Sequence, residues 1–253
     1  MKKVNTLVLG ILGVMLILMI ASAWNDAAIV DELAHIPAGF GYVTQGDYRL
    51  NPEHPPLIKV LSALSANIFV HPYFPTDTPY WQDDVNGQWA QGAKFLYGSA
   101  NDADRIIFWS RLPLMLLAVL FGWLLFAWTR RRFGDAAALL TLTFFAFSPT
   151  ILAHSRFVTT DLGAAFGFFI GIASFIAFLE KPTRRTIIIA GILLGIAQLL
   201  KFSVVLLAPM YAVLIAGWIY ALPNLYIRER LRATISLITK TLVIGAIGIL
   251  VIW

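Results

Sequence analysis

The chain has 253 residues, 59% apolar and 13% charged, with no Cys, a formal charge of +5 and a mean hydropathy of +0.76. Soluble domains average about a quarter charged residues, so a soluble enzyme, a disordered tail and a disulfide-stapled module are excluded. Without Cys there are no thiolate metal ligands and no Cys nucleophile.

A bilayer core about 30 Å thick takes about 20 apolar residues in a helix. In chain order, stretches of this kind run over 6–24, 106–128, 136–153 and 162–179. The next stretch, 186–222, is too long for one crossing, and Lys201 near its middle marks a tight turn between two helices. A last stretch, 233–253, contains Lys240. The reading is an all-α polytopic membrane protein with about seven transmembrane helices.

Basic residues test that count. Lys2 and Lys3, Arg130 to Arg132, Lys181 with Arg184 and Arg185, and Arg228 with Arg230 and Arg232 fall on one side only if 186–222 is a hairpin. Cationic clusters of this pattern mark the cytoplasm, so the N-terminus lies inside and nucleic-acid binding is not implied. Lys2 and Lys3, the apolar run and Ala21-Ser22-Ala23 also resemble a signal peptide. The run is long for one, so an uncleaved first helix is expected. In either case the following loop, 25–105, is external.

That loop is long and rich in Trp, Tyr, Phe and Pro, a composition for an ordered functional segment rather than a disordered one. Leu33, Ile36, Phe40 and Val43 predict a helix over 31–45 lying along the membrane surface, with Asp31 and Glu32 in its first turn. Further helices are predicted over 57–69, entered through Pro55 and Pro56, and over 87–97, whereas 70–85 reads as loop.

Ionisable residues gather at the external membrane edge, where they are costly and often functional. His35 follows Asp31 by four residues, on the same helical face. Glu53, His54 and Lys59 surround a Pro-Pro turn; His154, Arg156 and Asp161 lie between the third and fourth spans; Lys201 marks the hairpin tip. Plainer roles compete. Asp31 could be an N-cap, Lys201 and Arg111 could snorkel, and Arg156 could pair with Asp161. Asp135, Glu180 and Glu229 read as topology or capping residues. Gly163, Gly167 and Gly171 could leave room for an isoprenoid chain or simply allow close helix packing.

At Asp31-Glu32 and at Asn51-Pro52-Glu53-His54-Pro55-Pro56-Leu57-Ile58-Lys59 the chain resembles the N-terminal half of a GT-C glycosyltransferase of the protein O-mannosyltransferase and aminoarabinose-transferase superfamily. Asp161, following Arg156-Phe157-Val158-Thr159-Thr160, matches the family's second acid, and Lys201 in Leu199-Leu200-Lys201-Phe202-Ser203 matches its Lys near the end of a short fifth span. The resemblance implies an enzyme that moves a sugar from a polyprenyl-phosphate donor to a protein, lipid or glycan acceptor at the external face of a plasma (bacterial inner) membrane.

It also implies site roles. Asp31, Glu32 and Asp161 would be catalytic, with Asp31 the base, while His54, Lys59, Arg156 and Lys201 would bind the lipid phosphate. Asp31, Glu53 and Asp161 could share a divalent metal with His54, although family members differ in needing one. Family members run considerably longer, so residues 1–253 read as the N-terminal part of such a domain: a fragment, a truncated product or half of a split enzyme. Two other readings stay open, a transporter of lipid-linked sugars and a non-catalytic subunit that binds isoprenoid phosphate.

Overall fold

The structure is a computed structural model that describes residues 2–84, 86–221 and 226–253. Among them it is helical without a strand, and the all-α polytopic membrane architecture expected from composition holds. Among the described residues five helices are long and apolar enough to cross a membrane. The last residue of the 186–222 stretch lies outside the described residues. The chain divides into two compact units, 1–162 and 163–253.

In the first unit, α1 (Lys2–Ala23) runs antiparallel to α6 (Ala103–Ala146). Trp24, just past α1, meets Phe108 edge-to-face at 5.3 Å, and Leu12 lies against Gly122. The 44 residues of α6 are not one rod. Gly134 takes φ +83°, a left-handed conformation that a Cβ would strain, and there the chain folds back on itself. The arms 103–133 and 135–146 then pack together, with Phe121 on Phe145 at 4.8 Å and Arg130 paired to Asp135 at 2.5 Å. Val8, Leu12, Phe126, Ala138 and Leu142 form the buried core between α1 and the two arms. The expected span 136–153 is thus assembled from two pieces, the second arm and α7 (Pro149–Ser155). Pro149 removes the amide that would join them, and the Ser148 hydroxyl caps α7.

The loop between α1 and α6 is a packed subassembly. The predicted helices over 57–69 and 87–97 appear as α3 (Leu57–Phe69) and α5 (Gln88–Tyr97). A short α4 (Pro79–Gln82), capped by the Thr78 hydroxyl, falls where only loop was expected. The helix predicted over 31–45 is shorter: α2 (Val30–Phe40) gives way to a π-helical turn over Gly41–Gln45. Nor does α2 lie on a surface. Every residue from Ala34 to Phe40 is buried, because glycines let two neighbours press against both sides. A Cβ on Gly39 would meet the Lys59 carbonyl oxygen of α3 at 2.2 Å, and one on Gly92 of α5 would overlap the Leu33 carbonyl oxygen. Apolar residues at helical spacing can face a membrane or a protein core alike; here it is the core.

In the second unit, the helices are α8 (Asp161–Glu180, from Gly163 on), α9 (Arg184–Leu200), α10 (Leu207–Ala221) and α11 (Ile227–Ile252). Gly191 of α9 meets Ile244 and Ile247 of α11, and Gly195 meets Gly248 and Val251. Both registers advance together, so α9 and α11 are parallel, and α10 must carry the chain back between them. Small residues four apart permit this close helix contact. The chain reverses at Lys201, whose extended backbone (φ −160°, ψ 138°) ends α9, followed by a 3₁₀ turn over Phe202–Leu206. The parallel register also explains Lys240. It stands seven residues before Ile247 as Arg184 stands seven before Gly191, so both cations lie at one level. Of the glycines expected to pack or to leave space, Gly167 and Gly171 pack, against Ala197 and Val204 and against Leu207 and Tyr211.

Candidate active site

The start of α2 separates two adjacent carboxylates. Position 32 turns inward and position 31 outward, a division that the step of about 100° between helical neighbours allows. Glu32 is fully buried and receives four hydrogen bonds. Arg111 donates two, from Nε to Oε1 at 2.8 Å and from Nη2 to Oε2 at 2.7 Å. The backbone amide of Ile29 donates at 3.0 Å, capping α2, and that of Val158 donates at 3.0 Å. Glu32 therefore ties the helix start, α6 and the 157–160 segment into one joint. Asp31 is exposed and accepts no hydrogen bond among the described residues.

Arg111 corrects the expectation of a snorkelling residue. It is fully buried, and its remaining N–H groups reach the carbonyl oxygens of Asp26 at 3.1 Å and Ala27 at 2.9 Å. An arginine five residues inside an apolar span needs a buried counter-charge, and Glu32 supplies it. Arg156 likewise pairs with Asp26 rather than with Asp161, and it also donates to the Ser22 carbonyl at 2.7 Å. The Phe157 ring lies under both guanidinium groups, 5.0 Å from that of Arg111 and 4.3 Å from that of Arg156. Sequence reasoning weighed Arg111 only as a residue that could snorkel and did not single out Asp26.

His35, one turn after Asp31, donates from Nδ1 to the Val158 carbonyl at 2.7 Å, and its ring meets His54 edge-to-face at 5.3 Å. Burial lowers the His35 pKa, assisted by the charges of His54 and Lys59 and opposed by the Val158 carbonyl and the Asp31 carboxylate. Val158 is thus held through its N–H by Glu32 and through its carbonyl by His35, which brings the approach to Asp161 beside α2. Asp161 begins α8 and lies 3.6 Å from Nδ1 of His154, both half-exposed.

The Pro-Pro element is organised from beneath by Lys59. Its buried ammonium donates to the Tyr42 hydroxyl at 2.7 Å, the Asn51 carbonyl at 2.7 Å, Asn51 Oδ1 at 3.0 Å and the His54 carbonyl at 2.8 Å. Burial pushes its pKa down to about 7, against the pull of the Glu53 carboxylate. Asn51 takes φ +51°, a strained conformation for a non-glycine residue. Beyond Lys59, it is held by Asn86 and by Gln88, and Gln88 in turn donates to Glu53 at 2.7 Å. Burial raises the Glu53 pKa, but Gln88, its own backbone amide, His54 and Lys59 bring it below the usual carboxylate range.

Among the described residues no three His, Asp or Glu side chains gather as a metal site. Among the described residues Asp31, Glu53 and Asp161 are not gathered as one set; Glu53 accepts from Gln88 and Asp161 faces His154. Lys201 belongs to the second unit, at the break after α9. The structure thus brings Asp31, Glu32, His54, Lys59, Arg156 and the approach to Asp161 into one assembly in the first unit.

In a membrane chain, ionisable side chains clustered at the end of a helix mark a functional site. A family model described as dolichyl-phosphate-mannose-protein mannosyltransferase matches residues 8–252, and the chain belongs to this family of GT-C membrane mannosyltransferases. No curated protein and no solved structure matches the chain.

Proposed function

We propose that this protein transfers a sugar from a polyprenyl-phosphate carrier to a hydroxyl or amine acceptor at the external face of a plasma membrane crossed by seven helices. The reading is carried by the division of the acidic pair. Glu32 is spent on the Arg111 joint, while the adjacent Asp31 carboxylate stays open to a substrate. In the reaction the acceptor proton passes to Asp31, the acceptor atom bonds to the anomeric carbon, and the bond from that carbon to the phosphate oxygen breaks. The electron pair leaves with the lipid phosphate.

Cations stabilise that leaving group. Arg156 is assigned to it from its place at the helix ends, and Lys201 from the family resemblance alone. Glu32 and Lys59 become positioning residues: the first sets the start of α2, the second shapes the turn that carries His54. Asp161, next to His154, is assigned to the acceptor.

A positioned general base contributes about 10²–10⁴-fold. Membranes carrying Asp31→Asn, assayed with a polyprenyl-phosphate sugar, should lose at least about 100-fold in transfer while keeping donor binding. Full transfer by the variant would overturn the assignment.

A further inference from the structure

A cavity lined by two arginines lies in the first unit at the far end of α1 and of the first arm of α6. It encloses about 420 Å³ and is lined by Asn5, Val8, Leu9, Trp123, Phe126, Ala127, Arg130 and Arg131. Asn5 and Trp24 are separated along α1 by about 28 Å at 1.5 Å per residue, close to the thickness of a bilayer core. This cavity therefore opens at the membrane face opposite the acidic pair.

Its two arginines differ. Arg130 is committed: it pairs with Asp135 at 2.5 Å, reaches Asn5 Oδ1 at 3.4 Å and lies over the Phe126 ring. Arg131 is exposed and makes no hydrogen bond or ion pair among the described residues. The wall below is apolar and leads between two membrane helices, with Leu9 and Trp123 exposed along their flanks. Val8 and Phe126 close the floor, packed into the core against Ala138 and Leu142. A ligand that fills this space needs a negative head for Arg131 and hydrocarbon for the wall.

We propose that this cavity is a binding site for the phosphate head of an anionic phospholipid, with Arg131 as its principal cation and Trp123, two turns deeper, in the wall that meets the acyl chains. The recognised group is a phosphodiester with no ammonium to neutralise it, unlike the zwitterionic head of phosphatidylethanolamine. The apolar wall commits the source to a lipid, since a free phosphate would leave that wall uncovered. Basic pockets between membrane helices bind anionic headgroups in this way. The inference does not depend on the transfer reaction.

The test uses the purified protein in neutral detergent and counts lipids retained in native mass spectrometry. Phosphatidylglycerol is titrated in, with phosphatidylethanolamine and inorganic phosphate as separate arms. Phosphatidylglycerol should be retained preferentially, and Arg131→Gln should weaken it about fivefold, the equivalent of one cation near a membrane surface. Arg132→Gln removes the same charge from a residue stacked on Trp128 outside the cavity, and should leave retention unchanged. Equal weakening by both variants would reduce the effect to general charge and overturn the site. Competition by inorganic phosphate at the same concentration would overturn the lipid assignment. Wild-type unfolding of both variants in neutral detergent separates loss of binding from loss of fold.

Discussion

Replacing Arg111 by Met tests the buried joint directly. The substitution keeps most of the aliphatic volume but removes two charge-assisted bonds to Glu32, at 2.8 and 2.7 Å, and two to the carbonyls of Asp26 and Ala27. Charge-assisted bonds contribute about 1.5–3 kcal/mol each, but those figures do not add, because the bonds share one desolvated group. The better guide is the loss on removing one partner of a fully buried pair, about 3–5 kcal/mol. Both side chains here have no solvent exposure, so screening gives no relief. The amides of Ile29 and Val158 would still hold the orphaned carboxylate, which places the expected loss toward the lower end. Denaturant unfolding in detergent, followed by tryptophan fluorescence, measures it. The double variant Arg111→Met, Glu32→Gln should recover much of the loss, since no uncompensated charge stays buried. An Arg111→Met protein within about 0.5 kcal/mol of wild type, or a double variant as costly as the two singles summed, would refute the joint.

Two further outcomes follow from the packing and the charges. The folded His35 pKa is depressed, so as pH falls below about 6.5 the unfolded chain takes up the proton first and stability declines; His35→Asn should flatten the unfolding free energy over that window, and an unchanged slope would exclude His35 as its source. At the α9–α11 contact, Gly195→Ala sets a Cβ 2.6 Å from that of Val251 and 2.7 Å from the Gly248 carbonyl, and should cost about 1–3 kcal/mol. Gly217→Ala in α10, with open space around it, should be neutral or slightly stabilising, and equal losses in thermal unfolding would contradict the close contact.

Much of the fold was legible because one-dimensional physics decides it. Helix positions follow from apolar run length against bilayer thickness, and the break at Lys201 from a run too long to cross once. Helices α3 and α5 follow from a proline entry and an aromatic-rich amphipathic stretch. The acidic pair, the Pro-Pro element and Asp161 were visible as polar residues where polarity is expensive.

Local pattern is silent about which neighbour a side chain meets. Leu33, Ile36 and Phe40 have the same spacing whether they face lipid or protein, and only the approach of α3 and α5 through Gly39 and Gly92 put α2 in a core. Arg111 lies 79 positions from Glu32, and no periodicity links residues so far apart. The sequence by itself determined that this is a multi-pass membrane chain with an acidic pair after its first helix. The tertiary structure decided that the pair divides, Glu32 into a buried joint and Asp31 outward. Adjacent helical positions point about 100° apart, and of the two directions only that of Glu32 meets Arg111.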